Sequence, residues 1–88
     1  MTEDQAEDAL RQMIIAAGPK QARESFCLWY ERLRRPYIFG PAGHKWTDRD
    51  KWMYRAARQA LIHHEGHTLP WDLGREIDCK LIAERDKS

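Results

Sequence analysis

The sequence has no long apolar run, few cysteines and an acidic start, and each of these features excludes a class of protein. No stretch approaches the roughly 20 apolar residues that a membrane-spanning helix needs. Glu3 and Asp4 stand where a secretory leader carries positive charge, so we expect no leader and a cytoplasmic location. Because we expect no export, we predict that Cys27 and Cys79 are free thiols rather than a disulfide.

The residue types that carry nucleophilic catalysis are also scarce. The chain has two serines: Ser25 lies within a helical segment and Ser88 is the last residue. Cys27 has basic neighbours that would activate a thiol, yet no histidine is placed in the sequence to serve it. There is no glycine-rich phosphate loop. We therefore expect neither an enzyme nor a bound cofactor.

Three of the four histidines, His63, His64 and His67, form a cluster. A spacing of four would place His63 and His67 on one helical face, as zinc sites require. Gly66 interrupts the helix between them, and the metalloprotease spacing of two histidines around a glutamate is absent. We predict that these histidines interact with the C-terminal end of a helix and bind no metal.

The chain contains enough apolar residues to form the core of one helical domain. Hydrophobic residues make up 42% of its 88 residues, and four of them are tryptophans. Two cores would leave each half too small to be stable, so we expect a single domain over residues 1–88. Apolar residues recur at helical spacing and no segment alternates with period two. These patterns predict an all-α fold, a compact bundle of three to four short helices.

Two capping boxes, Thr2 with Gln5 and Thr47 with Asp50, predict the starts of the first and third helices. The apolar stripe of the second helix passes through Trp29, which we expect to be central to the core. Glycine and proline supply the stops. The predicted helices cover residues 3–17, 19–35, those between Thr47 and Gly66, and 71–85.

Residues 36–46 hold two prolines and two glycines, so we expect the second helix to end at Arg35 and a loop to follow. The aromatics in this loop either pack on the core as a lid or face a partner. We favour packing, because a small domain needs the buried area. The large apolar residues of the loop are Tyr37, Ile38, Phe39 and Trp46.

Three apolar residues, Ile15, Leu28 and Ile62, lie away from the principal stripes of their helices. A single exposed isoleucine or leucine is ordinary, but three suggest helices contacted from two sides. Either the fourth helix and the loop cover them or a second copy does. The second alternative predicts a homodimer.

Charge is distributed unevenly along the chain. The net charge is −3 over residues 1–18, +6 over 19–58 and −2 over 59–88. Either the acidic ends fold back on the basic middle, or the middle faces an anionic partner.

The basic residues of the middle segment form a row on the third helix and a cluster before it. Lys51, Arg55 and Arg58 fall on one face, opposite the apolar stripe. This row is either a solvated face or a surface that contacts nucleic-acid phosphates. In the second case Tyr37, Phe39 and Trp46 could stack on the bases. The cluster consists of Arg32, Arg34, Arg35 and Lys45.

Two segments of the chain resemble a pattern found in small accessory proteins of tailed phages. They are residues 23–30, RESFCLWY, and residues 52–60, WMYRAARQA, with a Gly- and Pro-containing loop between them. In those phage proteins a Phe-x-x-Trp-Tyr helix precedes a loop and a helix containing Trp-x-x-Trp-x-Ala. Arg55 stands where that second Trp would be. The resemblance implies a phage genome and a role in binding, often against host machinery or host defence, and it transfers no catalytic residue.

Two functions follow as hypotheses. The first is a phage-encoded, non-catalytic protein of the bacterial cytoplasm that occupies a host protein or protein–nucleic-acid complex, as an anti-CRISPR or another host-takeover inhibitor does. The second is a small DNA- or RNA-binding protein that uses the row on the third helix. Mixed charge favours a protein partner over bare nucleic acid.

Overall fold

Four helices account for nearly all of the computed structural model, which describes residues 2–40 and 46–87. They are α1 (Glu3–Ala17), α2 (Pro19–Phe39), α3 (Asp48–Glu65) and α4 (Thr68–Lys87). No strand occurs in these two ranges. The all-α prediction is confirmed. None of the four helices is both long and apolar enough to cross a membrane.

The predicted caps form as expected. The Thr2 hydroxyl accepts from the backbone N–H of Gln5, and the Gln5 side chain accepts from the backbone N–H of Thr2. Thr47 and Asp50 make the same reciprocal pair at the start of α3. Gly66 ends α3 with φ +87°, a backbone conformation that side-chain-bearing residues rarely adopt.

Helix α2 extends one turn further than the sequence predicts. The expected end at Arg35 is wrong, because the helix continues through Pro36 to Phe39. An internal proline removes one backbone hydrogen bond and costs about 3 kcal/mol. Tertiary contacts oppose this cost: Ile38 is 7% exposed, and its carbonyl accepts from Arg85 Nη1 of α4 at 3.4 Å.

Helix α4 begins three residues before the predicted start and ends two residues later. Pro70 is tolerated because it lies in the first turn, where its missing N–H would have no helical partner. Gly74, inside α4, is buried against the ring of Tyr30. The glycine therefore lets α4 approach α2 closely.

Helices α2 and α3 form the centre of the bundle, and each contacts all of the other helices. Helices α1 and α4 flank this pair and make no contact with each other over the described residues. Three buried alanines let α2 and α3 approach closely around larger apolar side chains. The central core is Ala22, Phe26, Ala57, Ala60 and Leu61.

Two expectations about the core are corrected. Trp29 is half-buried rather than central, and Phe26, 1% exposed, occupies the centre instead. On α1, Ile15 packs against the core although the sequence places it away from the principal stripe, whereas Met13 is 68% exposed. The contact between α1 and α3 explains how α1 is rotated about its own axis, since His64 Nε2 of α3 lies 2.9 Å from the Ile15 carbonyl oxygen.

Candidate functional site

A groove of about 800 Å³ opens on the surface of the bundle, and all four helices contribute to it. Glu7 of α1 and Trp71 of α4 both line it, so it occupies the space between the two flanking helices, which do not touch. Its lining residues are Glu7, Phe26, Tyr30, Tyr54, Arg55, Arg58, Gln59, Pro70, Trp71, Gly74, Arg75, Asp78 and Cys79.

The floor of the groove is a cluster of three aromatic rings, Phe26, Tyr30 and Tyr54. Phe26 stacks on Tyr30 with ring centroids 5.5 Å apart, and Tyr54 lies 5.9 Å from Phe26 and 6.2 Å from Tyr30. These separations are those of favourable aromatic pairs. Phe26 also belongs to the central core, so the floor is continuous with the packed interior.

Tyr30 is fixed by contacts with α4. Its hydroxyl donates to Asp78 Oδ2 at 3.0 Å, and Arg34 Nε donates to the other carboxylate oxygen of Asp78, also at 3.0 Å. A Cβ added to Gly74 would lie 3.2 Å from the Tyr30 ring. Burial and the hydrogen bond to Asp78 raise the pKa of Tyr30 to about 12.

A second ion pair joins the same two helices further along. Arg35 Nη2 lies 2.8 Å from Glu31 Oε1 and 3.5 Å from Glu84 Oε2. The polar contacts between α2 and α4 will be called the α2–α4 seam. Its members are Tyr30, Glu31, Arg34, Arg35, Asp78 and Glu84.

The arginines of the groove differ from those of the seam. Arg55, Arg58 and Arg75 form no ion pair with any residue in the described ranges. Beside them the indole of Trp71 is 73% exposed. Three guanidinium groups without an ion-pair partner among the described residues, together with an exposed aromatic ring and an aromatic floor, suit a ligand that has both carboxylate or phosphate groups and an apolar part.

The structure divides the basic residues singled out from the sequence. Arg55 and Arg58 line the groove, whereas Lys51 of the same row does not. Arg34 and Arg35 belong to the seam, and Arg32 stacks over the Trp29 ring at 4.9 Å. Lys45 lies outside the described residues.

The aromatics of the expected loop have separate environments, and residues 41–45 of that loop lie outside the described residues. Tyr37 and Phe39 are in the last turn of α2, 68% and 39% exposed. Their rings lie under Arg34 and Arg35 at 5.6 and 5.5 Å. Trp46 meets the Tyr37 ring edge-on at 5.3 Å, and Ile38 is buried.

The three off-stripe residues also have different environments. Ile15 packs against the core, Ile62 is half-buried and Leu28 is 55% exposed. Ile15 is thus used within the chain, and Leu28 offers the most exposed surface of the three. Self-association through these residues stays a prediction.

The histidine cluster has a structural contact at one member. Because a carbonyl oxygen only accepts, His64 donates from Nε2 to Ile15 and holds α1 against the end of α3. His63 and His67 are exposed. Within residues 2–40 and 46–87, no three histidine, cysteine, aspartate or glutamate side chains are arranged to hold a metal ion.

Both cysteines are free, as predicted, and they differ in environment. Cys79 is exposed and lines the groove. Cys27 is half-buried, and burial raises the pKa of its thiol. Ready nucleophilic chemistry at Cys27 is therefore disfavoured.

Sequence reasoning missed the α4 wall of the groove. Trp71, Arg75 and Asp78 follow one another at spacings of four and three, so they share one face of a helix. That periodicity was readable from the sequence. The sequence did not show which helix this face contacts, because no pattern in α4 specifies the neighbouring helix.

No family profile, characterised protein or solved structure matches the chain.

Proposed function

We propose that this chain is a phage-encoded, non-catalytic binding protein that occupies a functional surface of a host protein or protein–nucleic-acid complex, as an anti-CRISPR or similar inhibitor does. The observation that carries the proposal is the groove with its three arginines unpaired within the described chain. Desolvated arginine, tryptophan and tyrosine side chains supply most of the binding energy in protein interfaces.

The assignment to a phage rests on the resemblance of residues 23–30 and 52–60 to small phage accessory proteins. Phe26 and Tyr30 of the first segment, and Tyr54 and Arg55 of the second, all line the groove. Of these four, Phe26 and Tyr30 carry the resemblance, whereas Arg55 stands where the phage pattern has its second Trp.

The proposal is tested by affinity capture from a bacterial lysate, with and without nuclease treatment. We expect the wild-type chain to retain a specific host protein after nuclease treatment. The matched bait is the Arg55→Glu/Arg58→Glu variant, whose helical content is verified by circular dichroism. If no protein is retained after nuclease treatment, or if all retained material is nucleic acid, the proposal is wrong.

Direct nucleic-acid binding is the second candidate, because Lys51 also forms no ion pair with a described residue. If the whole row contacts phosphates, log affinity for a DNA duplex falls linearly with log salt concentration. Lys51→Glu and Arg55→Glu would then each weaken binding to all sequences alike and flatten that slope. If the groove binds a protein, free DNA binds poorly even at about 50 mM salt.

A further inference from the structure

We propose that the groove receives an amphipathic acidic helix of the partner, with its carboxylates on the groove arginines and an apolar side chain on the aromatic floor. This inference rests on the proposed function and names the chemistry of the segment that is bound. It is argued from the architecture of the groove, its charge and the hydrogen-bonding capacity of its walls.

The architecture provides a place for one more helix. Helices α1 and α4 flank the α2–α3 pair without touching each other, and the groove lies between them. A helix laid there would contact helices on both sides and the aromatic floor beneath. This is the helix-in-groove mode of recognition, in which side chains one turn apart anchor an apolar face.

The charge of the groove selects an acidic occupant. Arg55 and Arg58 on α3 and Arg75 on α4 place on two walls cations that form no ion pair with a described residue. The carboxylate of Asp78 is already bonded to Arg34 and Tyr30, so it does not neutralise them. Glutamate or aspartate side chains of the occupant accept charge-assisted hydrogen bonds from these arginines.

The chemistry of the walls favours a helix over an extended strand. All four walls are helices whose backbone groups are bonded internally, and the described residues offer no sheet edge. An extended peptide would leave its own N–H and C=O groups without partners in the groove. A helix satisfies these groups itself and presents only side chains.

The same features argue against a nucleic-acid strand in the groove. Glu7 lines it and forms no ion pair within the described residues, so a phosphate chain passing α1 would meet a like charge. Lys51, the residue that would lengthen the row of positive charge along α3, lies outside the groove. A peptide helix can place its uncharged residues opposite Glu7.

The test is selection from a display library of randomised helix-forming peptides against the wild-type protein. We expect recovered sequences to be enriched in Asp and Glu around one large apolar residue. Arg55→Glu/Arg58→Glu should weaken a recovered peptide about 100-fold, since repulsion replaces two ion pairs. The control Lys20→Glu/Arg49→Glu makes the same change in net charge at exposed residues outside the groove and should leave affinity unchanged.

A second measurement locates the peptide. Cys79 is exposed at the groove, so a bound helix should slow its reaction with a thiol reagent by about tenfold or more. Trp71→Ala, a change at a 73% exposed side chain, should weaken the peptide while leaving the melting temperature unchanged. Recovered peptides that lack acidic residues, or that bind the arginine double variant as well as wild type, would overturn the inference.

The outcomes separate this inference from the proposed function. If the arginine double variant captures the same host protein as wild type, the binding function stands and the groove is not its site. If acidic peptides bind the groove but no host protein is captured, the groove chemistry stands and the proposed function fails. A library that yields no groove-dependent peptide, from protein verified as folded, overturns the inference alone.

Discussion

The α2–α4 seam and the groove are neighbouring regions that both contain arginines and aromatic rings. They differ in whether those arginines form ion pairs with other described residues. In the seam, Arg34 and Arg35 have carboxylate partners within 3.5 Å and lie over the rings of Tyr37 and Phe39. In the groove, Arg55 and Arg75 have no ion pair within the described chain. The comparison shows that a count of basic residues does not locate a binding surface. Only the fold shows which cations form no ion pair with a described residue.

The largest effect should come from the aromatic ring on which both regions depend. Phe26→Ala removes a 1% exposed ring and should destabilise the fold by about 3–5 kcal/mol. Trp29→Ala, for which the stripe pattern predicts a loss of that size, should cost only about 1–2 kcal/mol because the ring is half-buried. Urea unfolding measures both. Equal losses would restore Trp29 to the centre of the core.

An intermediate effect should separate the seam from the groove. Asp78→Ala leaves Tyr30 and Arg34 without their shared acceptor and should cost about 1–3 kcal/mol. Arg75→Ala removes a groove arginine without an ion-pair partner and should change stability by less than about 0.5 kcal/mol. Asp78→Asn serves as the control that retains an acceptor. If Arg75→Ala destabilised as much as Asp78→Ala, the distinction between the two regions would be lost.

The smallest effect is the pH dependence of the seam. The pKa of Tyr30 is about 12 in the folded state and 10.0 ordinarily, so the folded state retains its proton when the unfolded state has lost it. This contribution is fully present below pH 10 and is lost as pH rises towards 12. Unfolding free energy measured over this window should fall more steeply for wild type than for Tyr30→Phe. Identical slopes would contradict the burial of the Tyr30 hydroxyl against Asp78.

Local signals were sufficient for most of the helix boundaries. A capping box or a glycine acts within one turn, which is why α1 and α3 begin and end where their flanking residues predict. The error at Arg35 arose because Pro36 is a local stop signal, whereas the contacts that extend α2, burial of Ile38 and the hydrogen bond from Arg85, come from elsewhere in the chain. Two of the three residues of the basic row, Arg55 and Arg58, line the groove, and the α4 wall was not foreseen.

The sequence by itself determined the all-α class, the caps and stops of α1 and α3, and an excess of positive charge in residues 19–58. Only the tertiary structure decided which of these positive charges form ion pairs within the chain. Periodicity specifies the face of a helix on which a side chain lies, but an ion pair depends on what a distant helix brings within a few ångströms. Asp78 meets Arg34 across the α2–α4 seam, where Gly74 lets α4 pack on Tyr30. The fold brings no carboxylate of the described residues within ion-pair distance of Arg55, Arg58 or Arg75.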